Sequence, residues 1–156
     1  MLKLGDKVRL KVAKHGLRTS SFSNNRVDVD THQIHTITQV TIENDEARDV
    51  RYSCDPSKTG LHWLPEQEFE LVSASTIETK FNIHDAVMVQ VTKATRVRNR
   101  ASRKDVVSIG SHVPATIIGV GLRGRDARID YLVKLDNETV AFVPETNIEL
   151  KDYSLF

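Results

Sequence analysis

The stretch Trp63–Leu71, WLPEQEFEL, returns near the end of the chain as Phe142–Leu150, FVPETNIEL. Both run aromatic, aliphatic, Pro, Glu, two variable residues, apolar, Glu, Leu, and each residue of the second lies 79 positions after its counterpart. A long fixed period is typical of a repeated structural unit. The repeat therefore predicts two similar domains, at residues 1–75 and 79–152, joined by the polar segment Ser73–Lys80.

Strand patterns recur in the same order in both halves. Val8, Leu10 and Val12 alternate with charged residues, and Ile83–Val91 repeats the alternation, which is typical of a half-buried strand. Further strand patterns are Thr36–Ile42, Val50–Cys54, Thr116–Val120 and Ile129–Val133. The proline of each repeated stretch predicts the end of a short strand, followed by a 3₁₀ turn and a last strand. Short strands separated by turns predict an all-β fold, with a small barrel or sandwich in each half.

The motifs Gly5–Val8, GDKV, and Trp63–Glu66, WLPE, resemble the SH3-like barrel superfamily, which includes Tudor and KOW domains. The resemblance covers nearly the whole chain and implies two tandem SH3-like barrels. Members bind RNA, DNA, peptides or other proteins, so the fold does not determine the function. The resemblance also implies that the long loop after the first strand, Lys14–Arg26 or Lys93–Lys104, frames the ligand surface.

One enzyme with a similar barrel is the plasmid-borne type II dihydrofolate reductase. The active pore of that enzyme depends on a Val-Gln-Ile-Tyr segment. The corresponding residues here, Val140–Val143, include neither the Gln nor the Tyr. We therefore do not expect reductase activity. The remaining nucleophile, base and acid candidates form no catalytic pattern, and we expect no enzyme and no cofactor; these candidates are Cys54, His62, Glu66, Ser102, Ser108 and Glu145.

The composition is that of an ordinary globular protein, with 39% hydrophobic and 28% charged residues. Cys54 is the sole cysteine, so an intrachain disulfide is excluded. The first residues lack the apolar block of a signal peptide, and no apolar stretch is long enough to span a membrane. We therefore expect a cytoplasmic protein without a membrane partner. His32 and His35 have the wrong spacing to share one face of a strand, and we expect no metal site there.

Positive charge is concentrated in the second half, which carries a net charge of +3 against −2 for residues 1–78. A basic run and a second, Gly-bearing turn supply the candidate nucleic-acid-binding residues: Lys93, Arg96, Arg98, Arg100, Arg103 and Lys104, with Arg123, Arg125 and Arg128. Arginine forks suit phosphate oxygens, and several together can release counterions from a nucleic acid. The alternative interpretation is a solvated loop whose charges keep the protein soluble.

Residues that recur at equivalent positions are expected to build the scaffold. Trp63 and Phe142 are expected to pack in the core, and Tyr52 and Tyr131 to be buried with the hydroxyl at the rim. Two carboxylates, those of Glu66 and Glu145, are expected to close a turn or to accept from a backbone amide.

Two functions remain open on the sequence. The favoured one is a non-enzymatic nucleic-acid-binding protein, DNA or RNA, that grips the phosphate backbone through the basic residues of the second barrel. The alternative is a protein-interaction module, an adaptor or inhibitor, in which the tandem barrels clamp a partner protein. Its contact surface would be the long loops and the acidic residues of the first half, Asp45, Glu46, Asp49, Glu66, Glu68 and Glu70.

Overall fold

The chain divides into two compact units, Met1–Glu78 (unit 1) and Thr79–Phe156 (unit 2). A computed structural model describes residues 1–20, 24–43, 49–92, 97, 104, 107–123, 128–136 and 138–151, and of Pro56 and Ser57 it describes the backbone. The fold is all-β, as predicted. Within these residues the helical elements are a four-residue α-helix and two 3₁₀ turns.

The described residues of unit 1 form eight strands. They are β1 (Lys7–Leu10), β2 (Lys14–Arg18), β3 (Arg26–Val29), β4 (His35–Thr36), β5 (Gln39–Ile42), β6 (Val50–Cys54), β7 (Leu61–Pro65) and β8 (Phe69–Ser73). Helix α1 (Pro56–Thr59) precedes β7, and a 3₁₀ turn (Glu66–Glu68) precedes β8. The antiparallel pairings are β4–β1–β8, β5–β6–β7 and β2–β3.

Unit 2 is an antiparallel sheet in the order β12–β11–β10–β9–β13. Its strands are β9 (Ala86–Gln90), β10 (His112–Arg123), β11 (Arg128–Leu135), β12 (Val140–Pro144) and β13 (Ile148–Leu150). A 3₁₀ turn (Glu145–Asn147) precedes β13. In both units the last strand therefore pairs with the first, after a proline and a 3₁₀ turn. The strand pairings of the described residues close none of these sheets into a barrel.

The core of each unit is filled by the inward positions of its strands. Alternation along the strands buries the following apolar side chains: Val8, Leu10, Val40, Tyr52, Leu61 and Phe69 in unit 1, and Val87, Val89, Ile117, Tyr131, Val133, Val143 and Ile148 in unit 2. Each such side chain stabilises the fold by about 1.5–3 kcal/mol relative to its exposed state. Both repeated tyrosines are buried, as predicted.

The turn before the first strand is built alike in the two units. Asp6 N–H donates to Lys3 O over 3.1 Å, and Asp85 N–H donates to Asn82 O over the same distance. The two aspartate side chains accept in return from those residues' amides, at 2.8 and 2.9 Å. The residue before each aspartate adopts a positive φ, +86° at Gly5 and +78° at His84. Glycine adopts this conformation without strain, whereas a histidine does so at a cost.

The prediction that Lys14–Arg26 is a long loop is wrong at both ends of the segment, because Lys14–Arg18 is a strand and Arg26 begins another. Its ends form β2 and β3, paired from Lys14↔Val29 to Arg18↔Arg26 with a register shift between. Gly16 N–H donates to Asp28 Oδ1, and Arg26 donates back to Gly16 O. Polar side chains on both strands concealed the pattern, because neither strand buries a continuous face.

Candidate functional site: two charge clusters at equivalent positions

Three of the predicted nucleic-acid-binding residues, Lys104, Arg123 and Arg128, lie in the described part of the chain. The other six, Lys93, Arg96, Arg98, Arg100, Arg103 and Arg125, lie outside the described residues. Lys104 is exposed. The geometry of the site can therefore be built from Arg123 and Arg128.

Arg123 ends β10, Arg128 begins β11, and the two residues are directly opposite each other across the strand pair. Both reach the carboxylate of Asp130, two residues further along β11. Arg128 Nε donates to Asp130 Oδ1 at 2.9 Å, and its Nη2 donates to Oδ2 at 3.3 Å. Arg123 Nε lies 3.8 Å from Asp130 Oδ2. These three residues are called the basic triad, because two guanidinium groups share one carboxylate and leave a net charge of +1.

Burial within the basic triad is unequal. The Asp130 side chain is 4% exposed, while those of Arg123 and Arg128 are 49% and 63% exposed. The carboxylate is thus a fixed anchor beneath the surface, and the guanidinium groups extend from it toward solvent. Each guanidinium carries five N–H donors, more than Asp130 can accept, so donors remain for an anionic ligand.

Phe142 on β12 borders the basic triad. The guanidinium carbon of Arg123 lies 4.2 Å from the centroid of its ring, a cation–π contact. Such a contact contributes about 0.5–1 kcal/mol where it is exposed. Phe142 lies opposite Leu132, so its side chain leaves β12 on the same face of the sheet as those of Asp130 and Leu132 leave β11.

Unit 1 carries the same constellation with every charge reversed. Arg51 lies 79 residues before Asp130, Asp49 lies 79 before Arg128, and Glu43 lies 80 before Arg123. Glu43 N–H donates to Asp49 O just beyond the paired residues of β5 and β6. Glu43 and Asp49 therefore lie opposite each other, as Arg123 and Arg128 do in unit 2. We call Glu43, Asp49 and Arg51 the acidic triad; its net charge is −1.

The acidic triad is an ion-pair network on the surface. Arg51 Nη2 donates to Asp49 Oδ2 at 2.9 Å, and Arg51 Nε lies 3.4 Å from Glu43 Oε2. The hydrogen bond to Asp49 raises the pKa of Arg51, and the Glu43 carboxylate adds to this effect. The side chains are 26% (Arg51), 36% (Asp49) and 50% (Glu43) exposed. Phosphate would be repelled here.

The prediction that Trp63 and Phe142 pack in the core is wrong. Trp63 is 42% exposed and Phe142 37% exposed. Alternation along the strand explains this for Phe142, because its neighbour Val143 fills the inward position and is fully buried. Trp63 has φ +54° at a bulge where the register shifts between Tyr52↔Leu64 and Cys54↔Leu61, and its N–H donates to Ser53 Oγ.

The two repeated glutamates fasten the beginning of each unit to its 3₁₀ turn, as predicted. Glu66 Oε1 accepts from Leu2 N–H at 2.8 Å, and Glu145 Oε2 accepts from Lys80 N–H at 3.3 Å. Glu145 also accepts from the Tyr131 hydroxyl at 2.5 Å, and that hydroxyl accepts from Phe81 N–H at 3.2 Å. Both carboxylates thus hold backbone in place.

Burial shifts the ionisation of the groups around these contacts. It raises the pKa of Tyr52 to about 12, with the Glu66 carboxylate adding to the effect, and it raises the pKa of Tyr131 further. Burial also raises the pKa of the Cys54 thiol to about 12. A thiol of that pKa is protonated at neutral pH and is a poor nucleophile.

His35 is partly buried on β4, and burial lowers its pKa. Across the described ranges, no group of three or more His, Cys, Asp or Glu side chains is placed to hold a metal ion. The part of the chain that the structure describes also contains no helix long and apolar enough to cross a membrane.

The reversed charge of the two triads was not found from the sequence, although a signal was present. The 79-residue offset aligns Arg51 with Asp130 and Asp49 with Arg128, and it pairs opposite charges at both positions. Comparing charge as well as hydrophobicity across the repeat would have identified the exchange. No protein-family model, curated protein or solved structure matches this chain.

Proposed function

We propose that the protein is a non-enzymatic nucleic-acid-binding protein whose unit 2 grips the phosphate backbone. The observation that carries this proposal is the basic triad, in which Arg123 and Arg128 are held side by side by the buried Asp130. Arginine forks recognise phosphate in a bidentate manner, and a fixed anchor reduces the conformational entropy lost on binding.

The charge of unit 1 supports the assignment to unit 2. The acidic triad occupies the equivalent surface of unit 1 and carries net negative charge. A phosphate backbone is therefore expected to bind unit 2 rather than unit 1. In the sequence, the basic run Lys93–Lys104 belongs to the same unit as the basic triad. We extend the nucleic-acid interface to the arginines and lysines of that run and to Arg125.

We further propose that each unit is an SH3-like barrel. The strand order in which the last strand returns beside the first, with a 3₁₀ turn before it, supports this assignment together with the GDKV and WLPE motifs.

Fluorescence anisotropy with labelled duplex DNA, duplex RNA and single strands at two salt concentrations tests nucleic-acid binding. The informative variant is Arg128→Gln, because Arg128 is the most exposed member of the basic triad and Arg123 still pairs with Asp130. We expect weaker binding and a log–log salt slope reduced by about 1 if one phosphate contact is lost. An Arg96→Ala/Arg98→Ala/Arg100→Ala variant tests the basic run in the same way.

The matched control is Asp49→Asn, the equivalent position of unit 1. It changes the net charge by the same amount as Arg128→Gln but in the opposite sense, and we expect it to leave the salt slope unchanged. Failure of every probe to bind at micromolar protein in low salt would overturn the proposal.

A further inference from the structure

We propose that Arg123 and Phe142 together form a platform on which an unpaired nucleobase stacks, and that the ligand of unit 2 is therefore a single-stranded nucleic acid. This inference rests on the nucleic-acid binding proposed above, and it adds the class of nucleic acid and a contact to the base. The basic triad alone offers phosphate contacts, and a phosphate backbone is present in single strands and duplexes alike.

The strand register places the two side chains of this platform on one face of unit 2. Arg123 on β10 is opposite Arg128, and Phe142 on β12 is opposite Leu132, which lies on the same strand, β11, as Arg128. Alternate residues of a strand leave it on the same face, so Arg128, Asp130 and Leu132 share that face. The Arg123 side chain therefore extends across β11, past Asp130, to reach the Phe142 ring.

Two contacts hold the guanidinium group of Arg123 in this position. Its carbon lies 4.2 Å from the centroid of the Phe142 ring, and Arg123 Nε lies 3.8 Å from Asp130 Oδ2. Arginine stacks on aromatic faces, so the ring covers one face of the guanidinium while the carboxylate holds its inner edge. The opposite face and the outer edge remain for a ligand.

A planar ligand has access to this platform. The Arg123 side chain is 49% exposed and Phe142 is 37% exposed. The next positions of β10 on the same face are Gly121, opposite Asp130, and Gly119, opposite Leu132. Glycine carries no side chain, so this part of β10 adds nothing to the face beyond Arg123. A flat group can approach the arginine without meeting another side chain of that strand.

The chemistry of the platform favours an unpaired base. Nucleobases stack on aromatic rings and on guanidinium planes. A base inside a duplex has both faces covered by its neighbours, whereas an unpaired base has a face to offer. Arg128 lies directly opposite Arg123, and Cα atoms of such pairs are about 4.5–5.5 Å apart. This separation suits a single nucleotide, with its base on Arg123 and its phosphate at Arg128.

The test is fluorescence anisotropy of the full chain with two labelled single strands. One has a mixed base sequence, and the other has the same length and consists of abasic sugar-phosphate units. The abasic strand keeps the phosphates and removes every base. We expect the intact strand to bind about tenfold more tightly than the abasic strand, with the same dependence on salt. A duplex that contains the intact strand should also bind more weakly than that strand alone.

Variants of Phe142 locate the stacking contact. Phe142→Leu removes the ring and keeps an apolar side chain, so it should weaken the intact strand severalfold and leave the abasic strand unchanged. Phe142→Trp keeps an aromatic face and should bind the intact strand as the parent does. The matched control is Trp63→Leu, which removes the exposed aromatic residue 79 positions earlier, in unit 1, and should leave both strands unchanged. Circular dichroism checks that each variant keeps the fold.

Three results would overturn base stacking and leave nucleic-acid binding by unit 2 in place. The intact and abasic strands could bind equally, or the duplex could bind as tightly as the intact single strand. Phe142→Leu could also weaken both single strands alike, which would mean that the ring only positions Arg123 for a phosphate. Failure of every probe to bind at low salt would instead overturn both proposals.

Discussion

Unit 1 and unit 2 use one scaffold and carry opposite charge on it. The turn aspartate, the buried tyrosine and the glutamate of the 3₁₀ turn are retained at equivalent positions, Asp6 and Asp85 among them. The charged clusters, in contrast, have exchanged sign. Positions that hold the backbone are repeated, and charged positions on the surface have diverged. Four predictions test how far the equivalence extends, beginning with the largest effect.

The first compares the turn residues Gly5 and His84. A Cβ at Gly5 would overlap Ser75 Oγ and lie 2.6 Å from Ile77 Cδ1, at a φ of +86°. We expect Gly5→Ala to destabilise unit 1 by about 2–4 kcal/mol. His84→Gly should instead stabilise unit 2 by about 0.5–1 kcal/mol, because it relieves the strain of a left-handed histidine.

Urea unfolding followed by circular dichroism measures both changes, with Trp63 emission reporting unit 1 separately. A parent-like midpoint for Gly5→Ala would mean that the turn of unit 1 can rearrange, and the equivalence of the two turns would then be incidental.

The second compares the central residues of the two triads. Asp130 is nearly inaccessible and has two arginine partners, so Asp130→Asn should cost about 2 kcal/mol. Arg51→Gln removes the centre of a more exposed network and should cost less than Asp130→Asn does. Thermal unfolding at low and high salt distinguishes them, since salt should reduce the Arg51 effect more. Equal losses would contradict the difference in burial.

The third compares the two tyrosines. The Tyr131 hydroxyl joins Glu145 to Phe81 N–H, so Tyr131→Phe leaves two groups without this partner and should cost about 1.5 kcal/mol. In unit 1 the amide of Leu2, which also bonds to the Tyr52 hydroxyl, donates directly to Glu66 and keeps that partner in Tyr52→Phe, so this change should cost about 0.5 kcal/mol or less. Chemical denaturation of the two variants provides the comparison. A larger loss for Tyr52→Phe would reverse this ranking.

The fourth concerns alkaline pH. Burial raises the pKa of both Tyr52 and Cys54 to about 12, and unit 1 contains both groups. Groups whose pKa is higher in the folded state keep their protons after the unfolded chain has lost them, so stability falls as the pH rises from about 9 toward 12. The Cys54 contribution to this loss should amount to about 1–2 kcal/mol at pH 10.

Unfolding midpoints from pH 7 to 11, followed by Trp63 emission, measure this loss. Cys54→Ala should flatten the profile and serves as the control, because it keeps Tyr52. A flat profile for the parent protein would show that burial does not control these two groups.

The 79-residue repeat was enough to predict the strands and the residues that build the scaffold of both units. The strand patterns, the buried Tyr52 and Tyr131 and the backbone-holding Glu66 and Glu145 all follow from residues that recur at one spacing. Exposure of Trp63 did not follow, because a bulge at Ser53 changes which residue points inward, and a bulge depends on pairing across strands. The basic triad joins residues of two strands, and the acidic triad joins residues at or just beyond the ends of two strands, so both become visible once the register is known. The binding function of unit 2 stays a prediction.

The pairing of first and last strands has a consequence for how such a chain can be rearranged. Lys7 at the start of β1 lies opposite Ser73 at the end of β8, and Val87 near the start of β9 lies opposite Leu150 at the end of β13. The two ends of each unit therefore lie side by side. A circular permutant that joins them with a short linker and opens at a hairpin would keep these strand pairings. The same adjacency lets one unit follow another along a chain without rethreading either sheet, which fits the 79-residue spacing of the repeated stretches.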